Sequence, residues 1–127
     1  MIERDDVDKL ERLIGQLDAV FLEIEKLSKK TPNDAVNAFK LNFVNGILND
    51  CNDFLGELYK PFESFNDFNA DDLPSNSDVS FIMKQYMQAT EKYRSDNIHI
   101  SIGNWYYNLP EGEGSVAAAP PAKITKK

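Results

Sequence analysis

The chain contains a single cysteine, Cys51, and a single histidine, His99, so side chains for nucleophilic or metal chemistry are scarce. One cysteine cannot form an intramolecular disulfide, and one cysteine with one histidine cannot provide the ligand set of a structural zinc site. The sequence also lacks a glycine-rich phosphate-binding loop and a glycine-flanked nucleophilic serine. We therefore expect no metal or organic cofactor and no enzymatic activity.

Positive charge is also in short supply, with 14 Lys and Arg residues against 21 Asp and Glu residues and a formal net charge of −7. A surface that binds the phosphate backbone needs clustered Lys and Arg, so direct nucleic-acid binding is not expected. No stretch approaches the ~20 apolar residues of a membrane-spanning helix. The first residues are polar and carry no secretory signal pattern. These features predict a cytoplasmic protein that does not bind membranes.

Apolar residues make up 42% and aromatic residues 11% of the 127 positions, which is enough for one hydrophobic core. We expect a helical domain with a C-terminal β-hairpin over residues 1–109. Residues 110–127 have the Pro, Gly, Ala and Lys composition of a linker and are predicted to form a disordered tail.

Helical periodicity dominates the first 94 residues. A first helix is predicted over residues 6–29, with the heptad-like apolar seam typical of coiled coils. Thr31 and Pro32 indicate the N-cap and first position of a second helix that ends near Tyr59. A third helix is predicted over residues 78–94. The predicted fold is mainly α, an antiparallel helical hairpin plus a third helix, which together form a three-helix bundle.

Between Ile98 and Leu109 the apolar residues recur at every second position, which is the spacing of a β-strand. With Gly103 and Asn104 as the two-residue loop, Ile102 pairs with Trp105 and the large apolar side chains share one face. We expect this face to dock on the helices, with Trp105 largely buried. Tyr106 falls on the opposite, polar face.

The first helix has a second apolar flank beside its seam. A hairpin with only one further helix should leave this flank exposed, and exposed apolar patches commonly mark interfaces. The sequence thus predicts a possible homo-oligomer that assembles through the flanking residues Leu13, Val20 and Leu27.

Residues 61–79 contain five acidic residues and no Lys or Arg. Such a segment favours a protein partner with a basic surface, and the predicted contact residues are Glu63, Asp67, Asp71, Asp72 and Tyr106. Residues 67–78 also place oxygen ligands at EF-hand-like positions. However, Asp72 replaces the required glycine, and Pro74 lacks a backbone N–H that the loop needs, so a calcium site is not expected.

Arg94 and His99 are separated by four residues, and this spacing resembles the motif of the HEPN ribonucleases. The resemblance implies a small helical, often dimeric protein in which Arg94 and His99 would act on an RNA phosphodiester. The first three of the residues between them, Ser95-Asp96-Asn97, are typical of a turn. The two side chains are therefore predicted to lie on different elements.

Three functions remain open at this point. The preferred one is a non-enzymatic protein–protein interaction module that serves as an accessory subunit or assembly factor of a larger complex. The first alternative is an acidic inhibitor, such as an immunity protein or antitoxin, which blocks a basic active site. The second alternative is the HEPN-like ribonuclease that would use Arg94 and His99.

Overall fold

The computed structural model describes residues 2–123 and confirms a mainly α fold with a C-terminal β-hairpin. The elements, in chain order, are helix α1 (Arg4–Lys30), helix α2 (Ala38–Tyr59), a 3-10 turn (Ala70–Asp72), helix α3 (Asn76–Ser95), strand β1 (Ile98–Ser101) and strand β2 (Asn104–Tyr107). Within the described residues, no helix is both long enough and apolar enough to span a membrane.

Helices α1 and α3 lie close to their predicted positions because clear signals mark their ends. Acidic residues in the first turn of α1 and Lys29 and Lys30 in its last turn complement the helix dipole. Helix α3 begins where Ser75 accepts a hydrogen bond from the Asp78 amide at 3.1 Å, as the polar run after Pro74 predicts.

Helix α2 starts at Ala38, so the prediction of a start at Thr31 is wrong. Its N-cap is Asn37, whose side chain accepts a hydrogen bond from the Lys40 amide at 2.8 Å. The preceding residues form a turn and bridge to the segment before α3, with Val36 N donating to Pro74 O at 3.0 Å. The backbone groups that a helix from Thr31 would use are thus engaged in tertiary hydrogen bonds.

Helix α2 packs only part of its apolar surface into the core. It buries Leu41, Val44, Ile47, Leu48, Cys51 and Leu55. Phe39, Phe43 and Leu58 are exposed, with 73% of Phe39 accessible to solvent. Helix α2 carries apolar residues on more than one face, so periodicity alone does not identify the packed side.

The buried residues form two clusters. The main core lies between the three helices and includes Leu13, with Val20 and Leu27 half-buried against it. The hairpin cluster joins the start of α1 to the hairpin, and its buried members are Ile2, Val7, Leu10, Ile98 and Tyr107. The strip formed by Leu13, Val20 and Leu27 is therefore not the exposed surface on which the self-association prediction was based.

The hairpin pairs in a register two residues away from the predicted one. Ile100 faces Trp105, and the loop consists of Ile102 and Gly103 with φ values of +49° and +79°. Positive φ at both loop residues is the type I′ pattern, whose twist matches the strands. As a consequence Ile102 is 97% exposed, and Trp105 is half-buried opposite Ile100 rather than largely buried beside Ile102.

The predicted disordered tail is described up to Lys123, and residues 124–127 lie outside the described part. Ala117 forms an isolated antiparallel bridge with Tyr106, on the edge of β2 that does not face β1. Arg94 on α3 donates hydrogen bonds to the carbonyl oxygens of Ala119 and Pro120, both at 2.8 Å. The structure thus gives residues 116–122 specific contacts that linker composition does not predict.

Candidate functional site

The connection between α2 and α3, residues 61–75, contains all four predicted partner-binding acids and is named here the acidic loop. It runs along α2 and is attached to that helix by asparagine side chains. Asn45 forms two hydrogen bonds with the backbone of Phe68, one to its carbonyl and one from its amide, both at 2.9 Å. The paired bonds satisfy the Phe68 backbone, although the segment belongs to no helix or strand.

Two more asparagines of α2 bind the same loop. Asn49 donates to the Asp67 carboxylate at 2.9 Å, and Asn52 donates to the Asn66 carbonyl at 3.0 Å. Asn45, Asn49 and Asn52 are four and three positions apart, so they lie on one face of the helix. We call these three residues the asparagine row.

Aromatic side chains fasten the inner side of the loop. Phe62, Phe65 and Phe68 stack edge to face, with ring centroids 5.9 Å and 5.1 Å apart. All three pack against the main core, and Phe62 also approaches Tyr86, whose hydroxyl donates to Asn52 at 2.9 Å. The three phenylalanines therefore attach the loop to the bundle, although its backbone there is irregular rather than helical.

The acidic side chains of the loop are accessible to solvent. Glu63, Asp67, Asp71 and Asp72 are all exposed. Within residues 2–123, none of the ion pairs involves an acid of this loop. The loop thus presents several carboxylates without a neighbouring cation to offset their mutual repulsion.

The side chains at the EF-hand-like positions take part in local contacts. Two of the oxygen-bearing side chains serve as caps, since Asn69 accepts from the Asp71 amide and Ser75 accepts from the Asp78 amide. In the part of the chain that the structure describes, no group of three or more His, Cys, Asp or Glu side chains is placed to share a metal ion.

Tyr106, the remaining predicted contact residue, lies outside the acidic loop. It is half-buried on β2, its ring centroid is 6.2 Å from that of His99, and it pairs with Ala117 on its other side. The structure therefore assigns Tyr106 to the hairpin surface rather than to the surface formed by the acidic residues.

Arg94 and His99 have different surroundings. Arg94 is buried on α3, where Glu91 accepts two hydrogen bonds from its guanidinium and raises the pKa of that group. His99 is exposed on β1 and its Nδ1 contacts the Asn108 side chain. The two residues lie on different elements, as predicted, and each is engaged with other partners.

Cys51 is equally unsuited to nucleophilic chemistry. Its side chain is fully buried in the main core, and burial, with a smaller contribution from Asp50, raises its thiol pKa to about 12. The reactive form of cysteine is the thiolate, so a thiol with this pKa is inert near neutral pH.

Comparison with known proteins adds no assignment, because no protein-family model, characterised protein or solved structure matches the chain. The functional argument rests on the residues themselves. Sequence reasoning identified the acids of the loop but missed the asparagine row that holds them. The available signal was the recurrence of Asn on α2 at helical spacing, opposite a loop rich in phenylalanine.

Proposed function

We propose that this protein is a non-enzymatic protein–protein interaction module, an accessory subunit or assembly factor, which presents the acidic loop to a basic surface of a partner protein. The observation that supports this proposal is the double hydrogen bond between Asn45 and the Phe68 backbone, reinforced by Asn49 and Asn52. A loop that served only to connect two helices would not need this attachment.

Rigid attachment favours binding for a physical reason. Ordering a loop on association costs free energy, and a loop that is already ordered avoids most of that cost. The exposed carboxylates of Glu63, Asp71 and Asp72 would attract a basic partner and increase the association rate. This attraction weakens with salt, because the Debye length is only ~8 Å at physiological ionic strength.

The test compares two variants with the same change in net charge. Glu63→Gln, Asp71→Asn and Asp72→Asn together neutralise the acidic loop. The control neutralises three exposed acids of α1 and α2, through the substitutions Asp8→Asn, Asp50→Asn and Asp53→Asn. The partner is first recovered by cross-linking and affinity purification from the source cells, and its binding kinetics are then measured with each variant.

We expect the loop variant to associate at least tenfold more slowly at low salt, while the control binds at nearly the wild-type rate. The difference between the two should shrink as salt is added. Equal rates for the loop variant and the control would refute the proposal. Tyr106→Ala, measured in the same assay, tests whether the hairpin surface also contacts the partner.

The acidic inhibitor is the second candidate, and it is favoured by the same rigidly held carboxylates. An inhibitor would bind an enzyme and cover its basic active site, whereas an accessory subunit would leave the activity of its complex intact or raise it. The activity of the recovered partner, assayed with and without this protein, separates the two. An activity that returns when the loop variant replaces the wild type would identify an inhibitor.

A further inference from the structure

The segment formed by residues 115–122, named here the tail segment, lies in a groove between the hairpin and α3. At its start it extends the sheet beside β2. Tyr107 N donates to Val116 O at 3.0 Å, and Ala118 N donates to Trp105 O at 3.0 Å. These bonds flank the isolated antiparallel bridge between Tyr106 and Ala117.

The other end of the tail segment is bound by a buried ion pair on α3. Arg94 and Glu91 have only 7% and 14% of their side chains exposed. Arg94 donates to two successive carbonyls, of Ala119 and Pro120, while Glu91 accepts from the Ala122 amide at 2.8 Å. Backbone groups at both ends of the tail segment are therefore hydrogen-bonded to the hairpin or to α3.

The tail segment does not fill this groove. A cleft of about 350 Å³ separates Ala119 and Ala122 of the tail segment from the face of α1 that carries Ile14. A second space of about 160 Å³, lined by Leu17 and Met87 among others, also borders Ala122. Both spaces open to solvent and are lined in part by apolar side chains, so larger apolar side chains at the positions of Ala119 and Ala122 would bury surface that the two methyl groups leave exposed.

We propose that this groove is a binding site for an extended peptide of a partner protein, which carries larger apolar side chains at the positions of Ala119 and Ala122. The tail segment is then an intramolecular occupant that the partner peptide displaces. The mode is strand addition, in which backbone hydrogen bonds provide affinity and side-chain spaces provide specificity. This site is separate from the acidic loop, and the proposal does not depend on it.

Displacement is physically reasonable because the hydrogen bonds that hold residues 116–122 in the groove engage their backbone rather than their side chains. The tail segment is joined to the hairpin by residues 110–114, in which Gly112 and Gly114 adopt φ values of +89° and +78°. A short tether gives the tail an effective concentration in the millimolar range, and a competitor must exceed it. Each additional buried methylene gives roughly a fourfold gain in affinity. A peptide with leucine at the positions of Ala119 and Ala122 therefore binds tightly enough to compete with the tail segment.

The experiment uses the full chain and labelled synthetic peptides of residues 115–122, with binding followed by fluorescence anisotropy. One peptide has the native sequence and the other carries Ala119→Leu and Ala122→Leu. We expect the leucine peptide to bind at least tenfold more tightly than the native peptide. Equal affinities would overturn the assignment of the two side-chain spaces.

The substitution Ala118→Pro removes the N–H that bonds to the Trp105 carbonyl. It should have opposite effects on peptide binding when it is made in the full chain and when it is made in the synthetic peptide. In the chain it weakens the tail segment, so the leucine peptide should bind about tenfold more tightly. In the peptide it should weaken binding by a similar factor. No binding of the leucine peptide at millimolar concentration to the folded Ala118→Pro chain would overturn the proposal.

Nuclear magnetic resonance of the wild-type chain provides an independent readout if that variant fails to fold. Millimolar leucine peptide should shift the amide signals of Trp105 and Tyr107, and unchanged signals there would refute the site. A second copy of this chain is the competing occupant. If the chain alone forms a dimer that Ala118→Pro abolishes, the groove exchanges tails between copies, and the partner-peptide proposal is wrong.

Discussion

At the scale of single residues, Asn45 has the most demanding role in the acidic loop, because one side chain satisfies both the amide and the carbonyl of Phe68. Asn45→Ala would leave two partly buried backbone groups without partners. An unsatisfied group of this kind costs about 1–3 kcal/mol. We therefore expect Asn45→Ala to lower the free energy of unfolding by about 2 kcal/mol, as measured by urea denaturation.

Asn49→Ala is the matched control for Asn45→Ala. Asn49 lies one turn further along the same face, but its hydrogen bond joins two exposed side chains. Water can replace that bond, so its loss should cost less than about 1 kcal/mol. If both variants lose the same stability, the attachment of the loop depends on its phenylalanines rather than on the asparagine row.

Tyr107 makes stability depend on pH at the alkaline end. Burial, and then the hydrogen bond to Glu11, raise its pKa to about 12, whereas an unfolded tyrosine titrates near 10. The native state thus holds the proton more tightly than the unfolded state. The stability that this provides is complete below about pH 10 and is lost as the pH rises to about 12.

We expect Tyr107→Phe to reduce the loss of stability between pH 10 and pH 12 by about 2 kcal/mol. Urea unfolding at several pH values measures this loss. Cys51, whose thiol pKa is raised to about 12, titrates in both proteins, so its contribution cancels in the comparison. Parallel curves for the wild type and Tyr107→Phe would show that the phenol pKa is not raised in the native state.

At the scale of the elements, helix α2 contains a break at Gly56, with φ +67° and ψ −173°. This region of backbone space is accessible essentially to glycine alone, and other residues pay about 1–3 kcal/mol there. A Cβ atom on Gly56 would meet no atom within 4 Å. We therefore expect Gly56→Ala to destabilise the protein by about 1–3 kcal/mol through backbone strain rather than through a clash.

Gly46→Ala provides the control in the same helix, because a Cβ atom there also has open space but the backbone is helical. Alanine is preferred over glycine in a helix interior by about 0.5–1 kcal/mol. Thermal unfolding should thus give opposite signs for the two variants. A stabilising effect of Gly56→Ala would mean that α2 continues without a break in solution.

The sequence predicts an element well where one signal dominates. Helices α1 and α3 combine apolar periodicity with polar caps and were located within a few residues. At the start of α2 two signals compete, since Thr31-Pro32 and Asn37 both suit a helix start, and long-range hydrogen bonds to Pro74 and Asn76 favour the later one. Such bonds depend on residues about 40 positions away, which a local pattern does not contain.

The predictions of the hairpin register and of the candidate site were incomplete for related reasons. Ile102 adopts a positive φ that β-branched residues avoid, and only the pairing of the two strands compensates for it. The acids of the loop were found because charge is visible in composition. The asparagine row and the groove for the tail segment were missed because most of their hydrogen bonds join side chains on a helix to the backbone of a distant segment, and a local pattern does not show which segment that is.

At the scale of the whole molecule, self-association stays a prediction, but the exposed apolar side chains lie elsewhere than expected. Phe39 and Phe43 are exposed and stack edge to face with centroids 5.1 Å apart. We expect reversible dimers at tens of micromolar in sedimentation experiments, because exposed apolar patches commonly form interfaces. Phe39→Ser combined with Phe43→Ser should abolish them.

Phe81→Ser is the control for this pair, since Phe81 is an exposed phenylalanine on α3. It should leave the dimer unchanged. A wild-type protein that remains monomeric throughout this concentration range would contradict self-association altogether. Dimers that only Leu13→Ala disrupts would instead return the interface to α1.

The hairpin cluster connects distant parts of the chain, and we expect this to set the order of events in folding. Its member Ile2 donates a backbone hydrogen bond to the Asn108 carbonyl at 3.1 Å, across more than 100 positions, whereas the three helices meet through much shorter loops. Contacts between distant residues close large loops and form slowly. A substitution in the cluster, such as Ile98→Val, should therefore accelerate unfolding, while Leu48→Ala in the main core should slow folding. The hairpin end then controls how fast the molecule opens, and the helices control how fast it closes.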